Sequence, residues 1–184
     1  MKRIGILAGI LLLSVSAFAA KTSNLENTIQ SHYNNRELNV EKSNSKKVSQ
    51  TEKSISSTRA GVRDQIISFA QKKLGSPYVW GATGPNSFDC SGFVGYVFKS
   101  AANLTLPRVS SDQATFKPKI SSMNMKKGDL VFFNTTGRGI SHVGIYMGNR
   151  QFIHASSGSR RVTVSSLDSS FYSKTFRWAI NPFS

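Results

Sequence analysis

One thiol and two imidazoles carry the chemistry this sequence offers. The single cysteine, Cys90, stands in Phe88-Asp89-Cys90-Ser91-Gly92-Phe93, and two of the three histidines, His142 and His154, follow it. A thiol attacks a carbonyl as its thiolate, so it needs a base or a cationic neighbour to take its proton. Cys90 opens an apolar run that reads as a helix. The first N–H groups of a helix lack intrahelical partners and its dipole favours an anion, which predicts a lowered thiol pKa. The loop before it, from Ser76 to Phe88, is rich in glycine and proline and can bring backbone donors to a developing oxyanion. A zinc site is the other use of one cysteine and two histidines. It would want paired Cys-x-x-Cys or His-Glu-x-x-His spacing, and the sequence has neither. No metal and no cofactor is expected.

The histidines depend on a hairpin. His142 to Met147 alternates, with Val143, Ile145 and Met147 on one face, and Phe152 to Ser156 is the next strand candidate. Gly148-Asn149-Arg150 reads as the turn between them. Opposed residues of an antiparallel hairpin keep a constant index sum. A loop at 148–150 sets Met147 against Gln151 and makes that sum even. His142 then opposes Ser156, and His154 is a diagonal neighbour on the same face, about 7–8 Å away. A two-residue loop would make the sum odd and put the rings on opposite faces. In the even register His142 is the base for Cys90. His154 holds that ring by accepting its other N–H, a role more often given to Asp or Asn. Asp89 is placed to cap the helix, and Asp129, after Gly128, is expected in a turn.

The elements that must position these groups are legible in outline. Val62, Ile66, Phe69, Ala70 and Leu74 recur at helical spacing, which predicts a helix over 60–74 ended by Gly75 and Pro77. A second, largely buried helix is predicted from Cys90 to Ala102. Short strands are predicted at Leu130–Phe133, His142–Met147, Phe152–Ser156, Arg161–Leu167 and Thr175–Ile180. Helices first and consecutive strands second argue for an α+β domain with the helices packed on an antiparallel sheet.

The N-terminal third differs in composition. Residues 1–19 have a basic start (Lys2, Arg3), an apolar block from Ile4 to Leu13, and Ala17-Phe18-Ala19 as a small-x-small cleavage site, the pattern of an export signal. The block is short for a membrane span of roughly 20 residues. Export across the inner membrane to the periplasm or the exterior is expected, with no stable membrane anchor. Residues 20–59 are polar and lack a sustained period, so a flexible linker is expected there, with His32 solvated in it. The folded domain is expected over 60–184, as a monomer. The net charge of +15 suits a polyanionic partner. Nucleic acid is excluded by the export signal and by the lack of a basic stripe interleaved with aromatics.

Six short runs, in order, then become recognisable: Pro77-Tyr78-Val79-Trp80-Gly81, Phe88-Asp89-Cys90-Ser91-Gly92-Phe93-Val94, Leu106-Pro107-Arg108, Gly128-Asp129-Leu130-Val131-Phe132-Phe133, Ser141-His142-Val143-Gly144-Ile145-Tyr146 and Phe152-Ile153-His154-Ala155. Together they resemble the NlpC/P60 family of cell-wall cysteine peptidases, over about residues 61–181. The resemblance implies a papain-like fold and a DL-endopeptidase acting on peptidoglycan stem peptides, typically at the γ-D-glutamyl to diaminopimelate bond. It implies Cys90 as nucleophile, His142 as base and His154 as the orienting residue. It places Tyr78 at the oxyanion or substrate site, and Asp89 and Ser91 in the substrate pocket. One departure is visible: many members have two glycines after the tryptophan, whereas here Gly81 is followed by Ala82. The absence of a wall-binding module in 21–58 leans towards action on intact wall. An amidase or acyltransferase using the same three residues, and a non-catalytic wall-binding protein, are the alternatives.

Overall fold

The computed structural model describes residues 7–184, so the start of the expected export signal, through Ile6, lies outside the described residues. The chain divides into two compact units, Met1–Ser56 and Ser57–Ser184. From Leu7 onwards the first unit is helical. Helix α1 runs Leu7–Gln71, so the irregular linker expected over 20–59 is helix instead. The physical reason lies in what that stretch lacks: residues 21–58 contain neither glycine nor proline. Its Ser and Thr hydroxyls bond back to carbonyls one turn earlier, as Ser31 to Thr28 and Thr51 to Lys47. Every described side chain from Leu25 to Gly61, His32 included, is exposed. Among the described residues no helix is long and apolar enough to cross a membrane.

The second unit begins with the last turns of α1, which bury Ile66, Ile67 and Ala70. The helix stops at Gln71, three residues short of the predicted end, and Gly75 turns the chain at φ 83°. Helix α2 is Cys90–Ala102, as predicted. Asp89 caps it, its Oδ1 accepting from Gly92 N at 2.6 Å. Asn103 ends it at φ 50°. Phe93, Val94, Val97 and Phe98 form its fully buried face.

Six strands form one antiparallel sheet in the order β1-β6-β2-β3-β4-β5. They are β1 (Lys119–Ile120), β2 (Leu130–Phe133), β3 (His142–Gly148), β4 (Gln151–Ser156), β5 (Arg161–Ser166) and β6 (Phe176–Ile180). All but β1 were predicted, to within one residue at each end. The short helices α3 (Ser110–Gln113) and α4 (Ser170–Thr175) were not. Both faces of β2 are covered, because alternate residues enter different cores. Leu130 and Phe132 join α1, α2, Val143, Ile145 and Ile153 on one side. Val131 and Phe133 join Tyr146, Phe152 and Leu167 on the other, closed by Tyr172 of α4. This is the α+β, papain-like arrangement, with α2 packed against β3 and β4.

Asp129 is more than a turn residue. It is buried, takes Lys126 N on Oδ2 at 2.7 Å, and pairs with Arg63 of α1 at 2.7 Å. Arg63 also donates to Asn181 beyond β6, so one guanidinium ties the first helix to both the start of β2 and the end of the sheet.

Candidate active site

The hairpin decides whether the two imidazoles meet. Ile145 opposes Ile153 and Tyr146 opposes Phe152, which is the even register. The tip differs from the expectation. The loop is two residues, Asn149-Arg150, both at positive φ (50° and 57°), the twist that suits a tight hairpin. Alone it would give the odd register. A bulge at Met147 inserts one extra residue on β3 and restores the even one. Val143 and Ile145 therefore face the main core with Met147 packed against it. His142 and His154 share the opposite face. His142 Nε2 lies 2.8 Å from His154 Nδ1, and His154 Nε2 lies 3.0 Å from Ser165 Oγ on β5. The bond to His154 leaves Nδ1 of His142 on offer to a thiol.

The thiol comes from the other layer. Cys90 is buried at the first position of α2, where the backbone N–H groups of Ser91, Val143 and Cys90 itself converge on its sulfur. Val143 is the neighbour of His142, so the sulfur sits against the start of β3. The loop before α2 is stitched to β5 and its turn: Gly75 N donates to Val162 O at 2.9 Å and Tyr78 N to Arg160 O at 3.0 Å. It also folds on itself, with Asp89 N donating to Ala82 O at 2.9 Å. Gly81 takes φ 80°, whereas Ala82 is not in the left-handed region, so its methyl carries no backbone strain. Gly92 must be glycine, since a Cβ there would meet Ala82 O at 2.2 Å.

Asp89 does much more than cap. Its carboxylate accepts from Arg108 at 2.6 and 3.2 Å and from Gly81 N at 3.1 Å. Arg108 in turn donates to Ser91 Oγ at 3.1 Å and Gly81 O at 2.9 Å. Asp89 and Ser91 are thus brought together around one guanidinium at the helix start. Buried Gln113 of α3 fixes the segment that carries it, donating to both Pro107 O and Ser91 O. Tyr78 is half-buried, and its phenol is pushed up by burial and then by the charges of Cys90 and Asp89.

Burial also sets the protonation state, and here the expected lowered thiol pKa is overturned. Desolvation pushes the Cys90 thiol up, Asp89 adds to it, and the converging N–H groups only offset part. Desolvation pushes His142 down to about 4. His154 is pushed lower still, by burial and by His142 beside it. The resting pair is neutral thiol and neutral imidazole.

The family model described as the NlpC/P60 family matches residues 75–181. The chain belongs to the NlpC/P60 family. Over 90 residues it is 54% identical to the "Probable endopeptidase p60" of Listeria monocytogenes, a match covering 49% of this chain and 18% of that protein. Over 109 residues it is 44% identical to the "Gamma-DL-glutamyl hydrolase" of Bacillus subtilis, covering 58% of this chain and 26% of that one. The chain therefore spans only a minor part of the length of these relatives. The crystal structure of the NlpC/p60 domain of the peptidoglycan hydrolase SagA superposes with a TM-score of 0.58 at 35% identity, covering 65% of this chain and 97% of that domain.

The NlpC/P60 segment holds all six residues singled out from the sequence, namely Tyr78, Asp89, Cys90, Ser91, His142 and His154. Reading the sequence did not single out Arg108, Ser165 or Tyr172. Arg108 lay in one of the quoted runs, but its partner is 19 positions away. Ser165 could have been found by counting, since it shares the β5 face that opposes Phe152 and His154. Tyr172 carried no signal, because a six-residue helix in a loop has no readable period.

Proposed function

We propose that this chain is a cysteine peptidase that cuts peptidoglycan stem peptides, at the γ-D-glutamyl to diaminopimelate bond. One observation carries the reading: the imidazoles of His142 and His154 are bonded on one hairpin face while the sole thiol sits at the helix start against that hairpin. The names of the Listeria and Bacillus relatives, endopeptidase and glutamyl hydrolase, support the bond class.

The chemistry follows from the groups in place. With substrate bound, the Cys90 proton passes to His142 Nδ1 and the sulfur attacks the scissile carbonyl carbon. The oxyanion falls to the Cys90 and Ser91 N–H groups at the start of α2, which leave the sulfur as its charge passes to the new bond, with Tyr78 beside them. Collapse breaks the C–N bond, and imidazolium His142 returns its proton to the leaving amine. The remaining thioester is hydrolysed by a water that His142 deprotonates, which regenerates the thiol. Asp89, Ser91 and Arg108 form the polar wall that receives the stem peptide. Export by the N-terminal segment brings the enzyme to the wall.

The test is digestion of a defined disaccharide–peptide with mass analysis of the products. Cleavage after D-glutamate splits the stem. Release of the whole stem from the sugar would make the chain an amidase, and a product joined to an added amine would make it an acyltransferase. No product from a folded protein would leave only wall binding.

A further inference from the structure

The His142–His154 pair can be wired in two directions, and only one is useful to a base. A neutral imidazole has one N–H and one lone pair. If His142 Nδ1 is to take a proton from Cys90, its hydrogen must sit on Nε2 and point at His154 Nδ1. His154 then needs its lone pair on Nδ1 and its hydrogen on Nε2, 3.0 Å from Ser165 Oγ. Wired the other way, His142 would meet Cys90 with an N–H. The direction is thus settled at the far end, by whether Ser165 accepts or donates.

Two features let Ser165 accept from His154. It stands on the β5 face that opposes Phe152 and His154, with His154 paired to Thr163 two residues before it. The side chains of Ser165 and Ser156 stabilise the charged form of the Tyr172 phenol, whose oxygen can take the Ser165 hydrogen and so leave the Ser165 lone pairs for His154. Ser156 is itself anchored by accepting from Ser159 N at 3.1 Å. The Tyr172 ring closes the assembly, with its centroid 5.4 Å from that of His154 and 6.4 Å from that of His142.

We infer that Ser165, backed by Tyr172, is the positioning residue that fixes His154 in its Nε2–H form and thereby leaves His142 Nδ1 free to act as the base. The inference rests on the proposed roles of Cys90 and His142, but its first test does not. Two-bond 1H–15N correlation spectra of histidine-labelled wild-type protein report each ring's tautomer directly, and both rings are expected as Nε2–H. A dominant Nδ1–H form of His154 would overturn the inference whatever the protein cleaves.

Kinetics on a disaccharide–peptide supply the second test. Ser165→Ala is expected to lower kcat by roughly 10–100-fold with KM within about twofold, and Ser165→Thr to restore most of it. Tyr172→Phe, which keeps the ring, is expected to lower kcat less and to admit some Nδ1–H form of His154. Should Ser165→Ala fail to fold, the wild-type spectrum and Tyr172→Phe still decide. A Ser165→Ala protein with unchanged kcat and unchanged tautomers would refute the inference. Unimpaired cleavage by Cys90→Ala or His142→Ala would instead refute the proposed function.

Discussion

His142 enters the reaction as an imidazole held near pKa 4 by burial. A base with that value stays unprotonated in mildly acidic solution. The acid limb of kcat/KM is therefore expected near pH 4, and a limb near pH 6.5, the ordinary histidine value, would contradict it. The same shift has a stability consequence of definite sign. An unfolded histidine titrates near 6.5, so in the window below that the unfolded chain binds more protons than the folded one. Stability from these rings is full above about pH 6.5 and is lost as pH falls, down to about 4 for His142 and further for His154, at up to about 1.4 kcal/mol per pH unit for each ring. Urea midpoints measured across that window should fall with acidification in wild type and fall less steeply in His154→Asn. The thiol was misread from the sequence for one reason. A helix start is visible in residues 88–93, but the burial that outweighs it depends on β3, some fifty positions away.

The β3–β4 hairpin shows how far pattern reading reaches. The alternation of Val143 and Ile145 supported the buried side of β3, whereas the even register was read from an expected loop at 148–150. How the chain reaches that register was hidden, since a three-residue loop and a two-residue loop with a bulge give the same outcome. Gly144 is a sharp probe of this element. A Cβ there would meet Phe152 Cδ2 at 2.5 Å and His154 Cβ at 3.2 Å. Gly144→Ala is expected to cost about 1–3 kcal/mol in denaturant unfolding and to lower kcat by shifting His154. The Arg63–Asp129 pair probes the join between α1 and the sheet. Arg63→Ala leaves a buried carboxylate without its cation and is expected to cost about 3 kcal/mol, whereas a change below about 0.5 kcal/mol would make the pair incidental. The linker expectation failed at this level as well. Polarity says that a segment cannot build a core, but it does not forbid a helix when no residue breaks one.

For the whole chain, the proposed function and the charge of +15 together predict charge-driven attraction to a polyanionic wall. Retention on isolated wall material is expected to weaken steadily between about 50 and 500 mM salt, as screening shortens the reach of the charges. Retention that ignores salt would assign binding to the site alone. The order of helices and strands in the catalytic unit was readable because each long element carries its own period. The site was readable because so few groups could supply the chemistry: one cysteine, and two histidines on adjacent strands. The third layer, Ser165 and Tyr172, was not readable, since hydroxyls and short helices are ordinary anywhere in a sequence.

The central claim is that Cys90 attacks the stem peptide. Acid quenching of the protein early in its reaction with a disaccharide–peptide, followed by intact-mass and peptide mapping, tests it directly. An adduct equal to the acyl half of the substrate is expected, mapped to Cys90, short-lived in wild type and absent in Cys90→Ala, which releases no fragments. Fragment release by Cys90→Ala, or an acyl adduct on another residue, would contradict it.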